Sequence, residues 1–203
     1  MWPNSLNIEV SRETGEKLKI YHALLLKWQK AINLVSRKTI DEAWIRHFAD
    51  SAQIEAHVSR ESGVVVDMGS GAGFPGMVLA IMKPELKVHM IESDERKCEF
   101  LRTVSRETNV DVSVHASRIE EGYNLIKPDI VIARALSDLS SLLEYVMPWA
   151  EVNPDLECVF LKGAQAKQEI EAAKELYDFT VNTNPSKTDS EGCILKIKNI
   201  CKI

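Results

Sequence analysis

The sequence lacks any hydrophobic run long enough to cross a membrane. Its longest uncharged apolar stretches, such as residues 76–82, are far shorter than the roughly 20 residues that a spanning helix needs. The first ten residues, MWPNSLNIEV, also lack the basic segment followed by an apolar core that marks a secretory signal. These absences predict a cytoplasmic protein that has no membrane association.

Cysteine is scarce, and its four positions form no recognisable pair. Cys98, Cys158, Cys193 and Cys201 include no C-x-x-C motif, and none has a histidine at zinc-ligand spacing. A chain of 203 residues buries roughly 70% of its unfolded surface, so its core requires neither a disulfide nor a metal. We therefore expect reduced, mostly buried thiols, no metal site, and one domain with at most a small appendage.

Positive charge is also in short supply. The net charge of −5 argues against general, nonspecific binding of nucleic acids. The charge is unevenly distributed, because residues 1–60 contain nine basic and seven acidic side chains, whereas the remainder contains 16 and 23. This asymmetry indicates a more basic N-terminal face.

The first 60 residues are predicted to form a helical cap. Apolar side chains recur there with the 3.6-residue period of a helix, at Leu18, Tyr21, Leu24, Leu25 and Trp28. The segment INLVS, residues 32–36, interrupts this period. A second helical stretch is predicted from Asp41 to Val58.

The remaining residues, 61–203, alternate between strand and helix patterns. Strands are predicted at Val64–Val66, Lys87–Glu92, Val110–His115, Asp129–Ala133, Cys158–Leu161, Phe179–Asn182 and Ile194–Ile200. Helices are predicted at Phe74–Met82, Asp94–Thr108, Ser137–Pro148 and Gln165–Tyr177. Ser93 is the expected N-cap of the second helix, with Cys98, Leu101 and Val104 on its inner face. The pattern predicts a doubly wound, mostly parallel seven-stranded α/β sheet that ends in an antiparallel edge hairpin.

A glycine-rich loop follows the first predicted strand, in the segment VVVDMGSGAGFPG at residues 64–76. Its glycines lie at positions 69, 71, 73 and 76, where they allow sharp turns and a close approach of the backbone to a ligand. In doubly wound sheets, ligands bind over the carboxyl ends of the strands, beside the first one. The loop is therefore the predicted cofactor site.

Asp67, at the start of this loop, argues against a phosphate-bearing cofactor. Two unit charges of like sign at ~4 Å repel by about 4 kcal/mol at an effective dielectric constant of ~20. The loop also lacks the Gly-Lys-Ser/Thr ending of a P-loop. S-adenosylmethionine has no phosphate and carries a sulfonium and an ammonium group, so Asp67 can attract its amine directly or through water. The sequence thus predicts a cationic cofactor, and it disfavours a nicotinamide oxidoreductase.

Two later segments fit the rest of this cofactor. Glu92 ends the second predicted strand, where its carboxylate can accept hydrogen bonds from both ribose hydroxyls. In SRIEE, residues 117–121, Ile119 can cover the adenine ring, while Glu120 or the nearby backbone accepts from the exocyclic amine.

Several segments together resemble the RsmG (GidB) family of bacterial small-subunit rRNA methyltransferases. They are LLLKWQKAINLVS, RHFADS, DMGSGAGFPG, IESDERKCEFL, ASRIEE, DIVIARAL and FLKG, in the family's order over roughly residues 20–200. The resemblance implies a class I methyltransferase sheet that uses S-adenosylmethionine to methylate N7 of one guanine in the decoding-region loop of 16S rRNA. It places cofactor contacts at Gly69, Phe74, Ile119, Glu120 and Arg134. The physical argument adds Asp67, Gly71, Gly73 and Glu92.

The chemistry of a ring nitrogen suits what this sequence lacks. Guanine N7 carries a lone pair and no proton, so no general base is needed. The segment after the fourth strand is ARAL, whereas enzymes that act on exocyclic amines carry an Asp/Asn-Pro-Pro-aromatic tetrad there. No Pro-Cys pair supplies a cysteine nucleophile for pyrimidine carbon-5.

Arg134 is the expected catalytic residue, because a guanidinium there can touch both the cofactor and the guanine O6 beside N7. Other basic side chains are expected to contact the RNA or to line its cleft, namely Arg37, Lys38, Arg46, His47, Arg118 and Lys162. We expect a monomer whose partner is 16S rRNA within the 30S subunit or an assembly intermediate.

Two other functions remain open from the residues alone. One is an S-adenosylmethionine-dependent methyltransferase that acts on another RNA base, a protein or a small molecule. The other is a module that binds the nucleoside without catalysis.

Overall fold

The structure is a computed structural model that describes residues 8–203, so the first seven residues of the predicted cap lie outside the described part. Its strands are β1 Gly63–Met68, β2 Leu86–Glu92, β3 Val112–Ala116, β4 Ile130–Arg134, β5 Glu157–Lys162, β6 Tyr177–Pro185 and β7 Cys193–Lys202. Its α-helices are α1 Arg12–Trp28, α2 Asp50–Ala52, α3 Gly76–Met82, α4 Glu95–Thr108, α5 Leu139–Ala150 and α6 Ala166–Lys174. Among the helices of these residues, none is both long enough and apolar enough to cross a bilayer.

The seven strands form one sheet in the order β3-β2-β1-β4-β5-β7-β6. Strands β1 to β5 run parallel, whereas β7 pairs antiparallel with β5 and β6. Each face of the sheet is covered by a hydrophobic core. The predicted doubly wound sheet with an antiparallel edge hairpin is therefore confirmed, and the order of the strands reverses at β1 and β4.

The N-terminal part is helical, as predicted, but its second stretch is irregular. Helix α1 begins after Ser11, whose hydroxyl accepts a hydrogen bond from the Thr14 amide at 3.0 Å. The second stretch passes through a π-helical turn at Trp44–Ala49, then α2, then a 3₁₀ turn at Gln53–His57. A hydrophobic period does not distinguish these helix types. The division into a cap of residues 1–60 and a domain of residues 61–203 stays a prediction.

The N-terminal helices and the sheet share one core. Leu18, Tyr21 and Leu25 of α1 are fully buried together with Phe48, in the same cluster as Met77 of α3 and other side chains beneath the sheet. Burial of side chains of this size contributes about 1.5–3 kcal/mol each. This packing holds the helical segment against the edge of the sheet where β1 and β4 end.

Helix α4 begins one residue later than predicted, and its N-cap is Asp94 rather than Ser93. The Asp94 carboxylate accepts a hydrogen bond from the Arg96 amide at 2.9 Å, while Ser93 is exposed. The reason lies in Glu92, which accepts from the Asp94 amide at 2.8 Å and holds Ser93 in the turn. Three residues of the predicted inner face are fully buried: Cys98, Leu101 and Val104.

The thiols differ from the prediction at the end of the chain. Cys98 and Cys158 are buried and Cys193 is half-buried, but Cys201, in the last strand, is exposed. The expectation of mostly buried thiols is therefore wrong for Cys201, because that side chain lies near the open end of the edge hairpin.

The glycine-rich loop wraps around the buried Asp67 side chain. Gly69, Gly71 and Gly73 all have positive φ, which favours glycine. Asp67 is completely buried, and its Oδ2 accepts a hydrogen bond from the Gly76 amide at 3.1 Å, where α3 begins. Helix α3 therefore starts at Gly76 rather than at the predicted Phe74, because the residues before it belong to the turn.

Two neighbouring elements hold the same loop from outside. The Tyr21 hydroxyl of α1 donates to the Ala72 carbonyl, and Glu92 of β2 accepts from the Gly71 amide at 2.8 Å. Three hydrogen bonds therefore fix the loop, at Ala72, Gly71 and Gly76. Two of their partners, Tyr21 and Glu92, lie more than 20 positions away in the sequence.

We expect Gly76→Ala to destabilise the fold strongly. A Cβ at this position would lie 2.8 Å from Cβ and 2.9 Å from Cγ of Asp67, which is fixed beneath the loop. Overpacking of this kind costs about 1–3 kcal/mol. The matched control is Gly163→Ala, since a Cβ there meets no atom within 4 Å. Urea unfolding of the two variants measures the difference, and equal midpoints would contradict the account.

We also expect Asp67 to make stability pH-dependent. Burial, the largest cause, raises its pKa from the ordinary 3.8 to about 7. The folded protein therefore binds more protons than the unfolded chain between about pH 4 and pH 7, and stability falls as pH rises through that window, by about 1.4 kcal/mol per unit of pKa difference.

Asp67→Asn removes this titration and keeps an oxygen that can accept from the Gly76 amide. The free energy of unfolding of the variant minus that of the wild-type protein should therefore increase from about pH 4 to about pH 7 and then level off. A difference that stays constant with pH would contradict the buried, protonated carboxyl.

Candidate functional site

Two cavities lie side by side at the carboxyl ends of the parallel strands. The smaller has a volume of about 420 Å³ and lies over the glycine-rich loop. The larger, of about 660 Å³, extends towards the end of β5 and the loop between β6 and β7. Both volumes suit small organic ligands. Residues 134–136, at the end of β4 and directly after it, line both cavities and form their common wall.

The smaller cavity collects most of the predicted cofactor residues. These are Gly69, Gly71, Phe74, Glu92, Ile119, Glu120 and Arg134. A Cβ on Gly71 would find only the Gly69 carbonyl, at 3.9 Å, so the backbone is open to the cavity there. The cavity is thus bordered by exposed loop backbone, one buried carboxylate and apolar side chains such as Ile119.

Asp67 and Gly73, two of the predicted cofactor residues, do not reach this cavity. Asp67 lies beneath the loop, where its side chain has no exposed surface, so the expected contact with a cofactor amine is corrected to a structural contact with Gly76. Gly73 faces the other way, because a Cβ there would lie 2.6 Å from the Tyr21 hydroxyl and 2.9 Å from Leu101. Both residues shape the loop from behind.

Glu92 is the carboxylate that does face the smaller cavity. It is 8% exposed, and its oxygens accept from the Gly71 amide and the Asp94 amide, both at 2.8 Å. An ionised carboxylate offers about four lone-pair sites, so two remain for a ligand. The site therefore fits a molecule with two adjacent hydroxyls, such as a ribose, and its negative charge opposes a diphosphate.

Two residues that line this cavity were not predicted from the sequence. Leu34 and Val35, from the INLVS segment, line it. The Gln29 side chain holds them there, since it donates to the Val35 carbonyl at 2.8 Å and accepts from the Leu34 and Val35 amides at 3.0 Å. The only pattern that could have found them is a pair of apolar residues in a segment that breaks the helical period.

Arg134 is the charged residue of the common wall. One terminal nitrogen, Nη1, donates to the Arg46 carbonyl at 3.0 Å and to Asp50 Oδ2 at 3.2 Å. The other, Nη2, contacts His47 Nδ1 at 3.1 Å, and the guanidinium carbon lies 5.1 Å from the centre of the Phe74 ring. The half-buried guanidinium is therefore held by an ion pair, a carbonyl, an imidazole and an aromatic face.

His47 is a neutral partner of Arg134 rather than a cation for RNA. Its pKa is lowered to about 3, first by burial and then by the positive charges of Arg134 and Arg46. Because Arg134 donates to Nδ1, the proton lies on Nε2, which faces Thr39 Oγ1 at 2.8 Å. His47 lines the larger cavity, so its expected contact with the RNA stays a prediction, and that contact would involve a neutral imidazole.

The other predicted RNA residues fall into three groups. Arg46 and Lys162 line the larger cavity, and Arg118 lines the smaller one. Arg37 and Lys38 are exposed and line neither cavity. Lys162 is held by the Ser137 carbonyl at 2.6 Å and by Glu169 at 2.5 Å, so its ammonium group is already paired with a carboxylate.

The larger cavity also contains residues that the sequence did not single out. They come from the irregular helical segment and from the loop after β6, and they include Asp50, Gln53, Ser186, Thr188 and Asp189. Polar residues in a turn-rich loop carry no signal of this kind, because the contact joins positions more than 130 residues apart.

Comparison with known structures agrees with the fold. A methyltransferase from Geobacter sulfurreducens matches with a TM-score of 0.61 and 14% identity, covering 94% of this chain and 91% of the other. A mutant of MtNAS in complex with S-adenosylmethionine matches with a TM-score of 0.62 and 13% identity, covering 92% and 76%. The predicted doubly wound, seven-stranded sheet is thus confirmed.

Comparison of sequences identifies the family. The model described as rRNA small subunit methyltransferase G matches residues 14–192. Ribosomal RNA small subunit methyltransferase G of Rhodospirillum centenum is 48% identical over 192 residues, which cover 94% of this chain and 87% of the relative. A protein of the same name from Cereibacter sphaeroides is 43% identical, covering 97% and 96%. The resemblance read from the motifs is confirmed: this chain belongs to the rRNA small subunit methyltransferase G family.

Proposed function

We propose that this protein transfers the methyl group of S-adenosylmethionine to N7 of one guanine in the decoding-region loop of 16S rRNA. The observation that carries the proposal is the pair of cavities that share Arg134 as their wall. A donor in the smaller cavity and an acceptor in the larger one would meet at this side chain. Family membership and the resemblance of the motifs support the same reaction.

The smaller cavity suits the donor. S-adenosylmethionine supplies an electrophilic methyl group on a sulfonium. Glu92 would hold the ribose hydroxyls, Ile119 would cover the adenine, and the open backbone at Gly69 and Gly71 would contact the methionyl part. Selectivity for a cation then rests on Glu92 in the cavity, while Asp67 acts only across the loop and is partly protonated near neutral pH.

The larger cavity suits a guanine. The three contacts of Arg134 use three of the five N–H donors of a guanidinium, so two remain for a substrate. A guanidinium donor can bind O6 or N7 of guanine, and O6 marks guanine against adenine. No proton has to leave N7, so the residues around Arg134 need only orient the base and exclude water, which places the work on positioning.

The RNA backbone would be contacted at few points. Arg46 and Lys162 line the larger cavity, and Arg118 lines the smaller one. Arg37 and Lys38 are exposed, and they directly precede Thr39, which lines the larger cavity. So few cations predict a shallow dependence of affinity on salt. We propose that the protein acts as a monomer on rRNA presented by the 30S subunit or an assembly intermediate.

We expect Glu92→Gln to weaken binding of S-adenosylhomocysteine about 10- to 100-fold. The variant loses an acceptor of charge-assisted hydrogen bonds, each worth about 1.5–3 kcal/mol. Isothermal titration calorimetry measures the change. Glu175→Gln is the control, because Glu175 is exposed at the end of α6, and its affinity should equal that of the wild-type protein. Unchanged binding by the Glu92 variant would remove the ribose assignment.

We expect transfer of labelled methyl groups to 30S particles or 16S rRNA, at one guanine, with Arg134→Ala reducing the rate about 100-fold. Cleavage by borohydride and aniline identifies N7. Arg106→Ala, on the exposed face of α4, is the control. Label on another base or on protein would show that the enzyme methylates a different substrate. Tight cofactor binding without any label would indicate a module that binds the nucleoside without catalysis.

A further inference from the structure

The loop between β6 and β7, residues 186–192, forms part of the wall of the larger cavity. Ser186, Thr188, Asp189 and Gly192 all line it. The loop is closed by its own backbone, because the Ser186 amide donates to the Gly192 carbonyl at 2.9 Å and the Gly192 amide donates to the Asp189 carbonyl at 3.0 Å. It therefore has a defined shape, and its position depends on what fixes it to the rest of the protein.

Asp50 connects this loop to Arg134. Its Oδ1 accepts a hydrogen bond from the Thr188 hydroxyl at 2.6 Å, and its Oδ2 accepts from Arg134 Nη1 at 3.2 Å. The side chains of Asp50 and Arg134 are 20% and 16% exposed, so water screens this ion pair only in part. One carboxylate thus bonds both a wall of the larger cavity and the guanidinium between the two cavities.

Two further contacts tie the loop to the same helical segment. Gln53 accepts from the Lys187 amide at 2.9 Å and donates to the hydroxyl of Ser186 at 3.0 Å and to Asp50 at 3.0 Å. Arg46 pairs with Asp189 at 3.3 Å, but both side chains are about 40% exposed, and such pairs contribute little. Asp50 is the side chain of this network that also contacts Arg134, whereas Arg46 contacts Arg134 only through its backbone carbonyl.

We propose that Asp50 is a positioning residue for methyl transfer, because it holds Arg134 and the loop of residues 186–192 in one fixed relation. This inference rests on the proposed function. Asp50 balances the charge of Arg134 and orients its fork, so that the remaining N–H donors face the base. The hydrogen bond from the Thr188 hydroxyl to the same carboxylate links the position of the loop to that of Asp50. A shift of the loop would therefore also change the orientation of the Arg134 guanidinium.

The test is a double-mutant cycle on the single-turnover rate of methyl transfer, with cofactor and 30S particles at saturating concentration. We expect Asp50→Asn to slow transfer about 10- to 100-fold and Thr188→Val about 10-fold. In the Asp50→Asn background, Thr188→Val should have little further effect, because its hydroxyl no longer acts through the carboxylate. Loss of a purely structural contact would cost the same in both backgrounds.

Two matched variants separate the hydroxyl from side-chain size. Thr188→Ser keeps the hydroxyl and should restore the wild-type rate, whereas Thr183→Val, at an exposed position of β6, should leave the rate unchanged. The proposal is overturned if Thr188→Val transfers at the wild-type rate, if Thr188→Ser is as slow as Thr188→Val, or if the two losses simply add.

Amide hydrogen exchange of residues 186–192 gives a readout that does not depend on activity. Exchange there should be faster in Asp50→Asn than in the wild-type protein, and equal exchange would overturn the connection. A wild-type protein that labels no substrate would instead refute the proposed function. The two failures are distinguishable, because failure of the proposed function is seen in the wild-type protein, and failure of the role of Asp50 only in the comparison of the variants with it.

Discussion

The hydrogen bond that the buried carboxyl group of Asp67 accepts from the amide of Gly76 underlies the geometry of the whole site. It fixes the end of β1 to the start of α3, and the glycine-rich loop turns around the side chain. Because Asp67 fills the space beneath the loop, only glycine fits at position 76. The loop backbone is therefore presented to the smaller cavity in one conformation, and Glu92 then holds Gly71 from the cavity side.

Electrostatics in this protein is local rather than global. The net charge is −5, yet each charged group at the junction of the two cavities has its own partner nearby. Arg134 is balanced by Asp50 and accompanied by a histidine that stays neutral because burial and two arginines lower its pKa to about 3. Lys162 is paired with Glu169. Few uncompensated cations are left for a phosphate backbone, so recognition of an RNA by this surface would depend on shape and on the presentation of the base more than on charge.

The second cavity is completed by segments that are distant in the chain. The irregular helical stretch that contains Asp50 and Gln53 lies against the loop between β6 and β7, and Arg134 projects between them from the end of β4. A π-helical turn and a short 3₁₀ turn frame Asp50, and departures from regular helix are frequent at functional sites. The N-terminal part is thus more than a cover for the core, since it supplies one side of the proposed acceptor site.

Local patterns along the chain were enough to predict the seven strands, the helices between them and the location of a cofactor loop, because hydrophobic periodicity and glycine spacing are local signals. They also placed Glu92 and Ile119 at or just after strands whose carboxyl ends lie together, whereas Arg134 was singled out by the resemblance to the family. Only the folded structure shows where these side chains lie and what surrounds them. Asp67 lies beneath the loop, His47 is buried and uncharged, and Leu34 lines the smaller cavity. Burial and hydrogen bonding between distant residues set these outcomes, and neither property is encoded in the spacing of neighbouring residues.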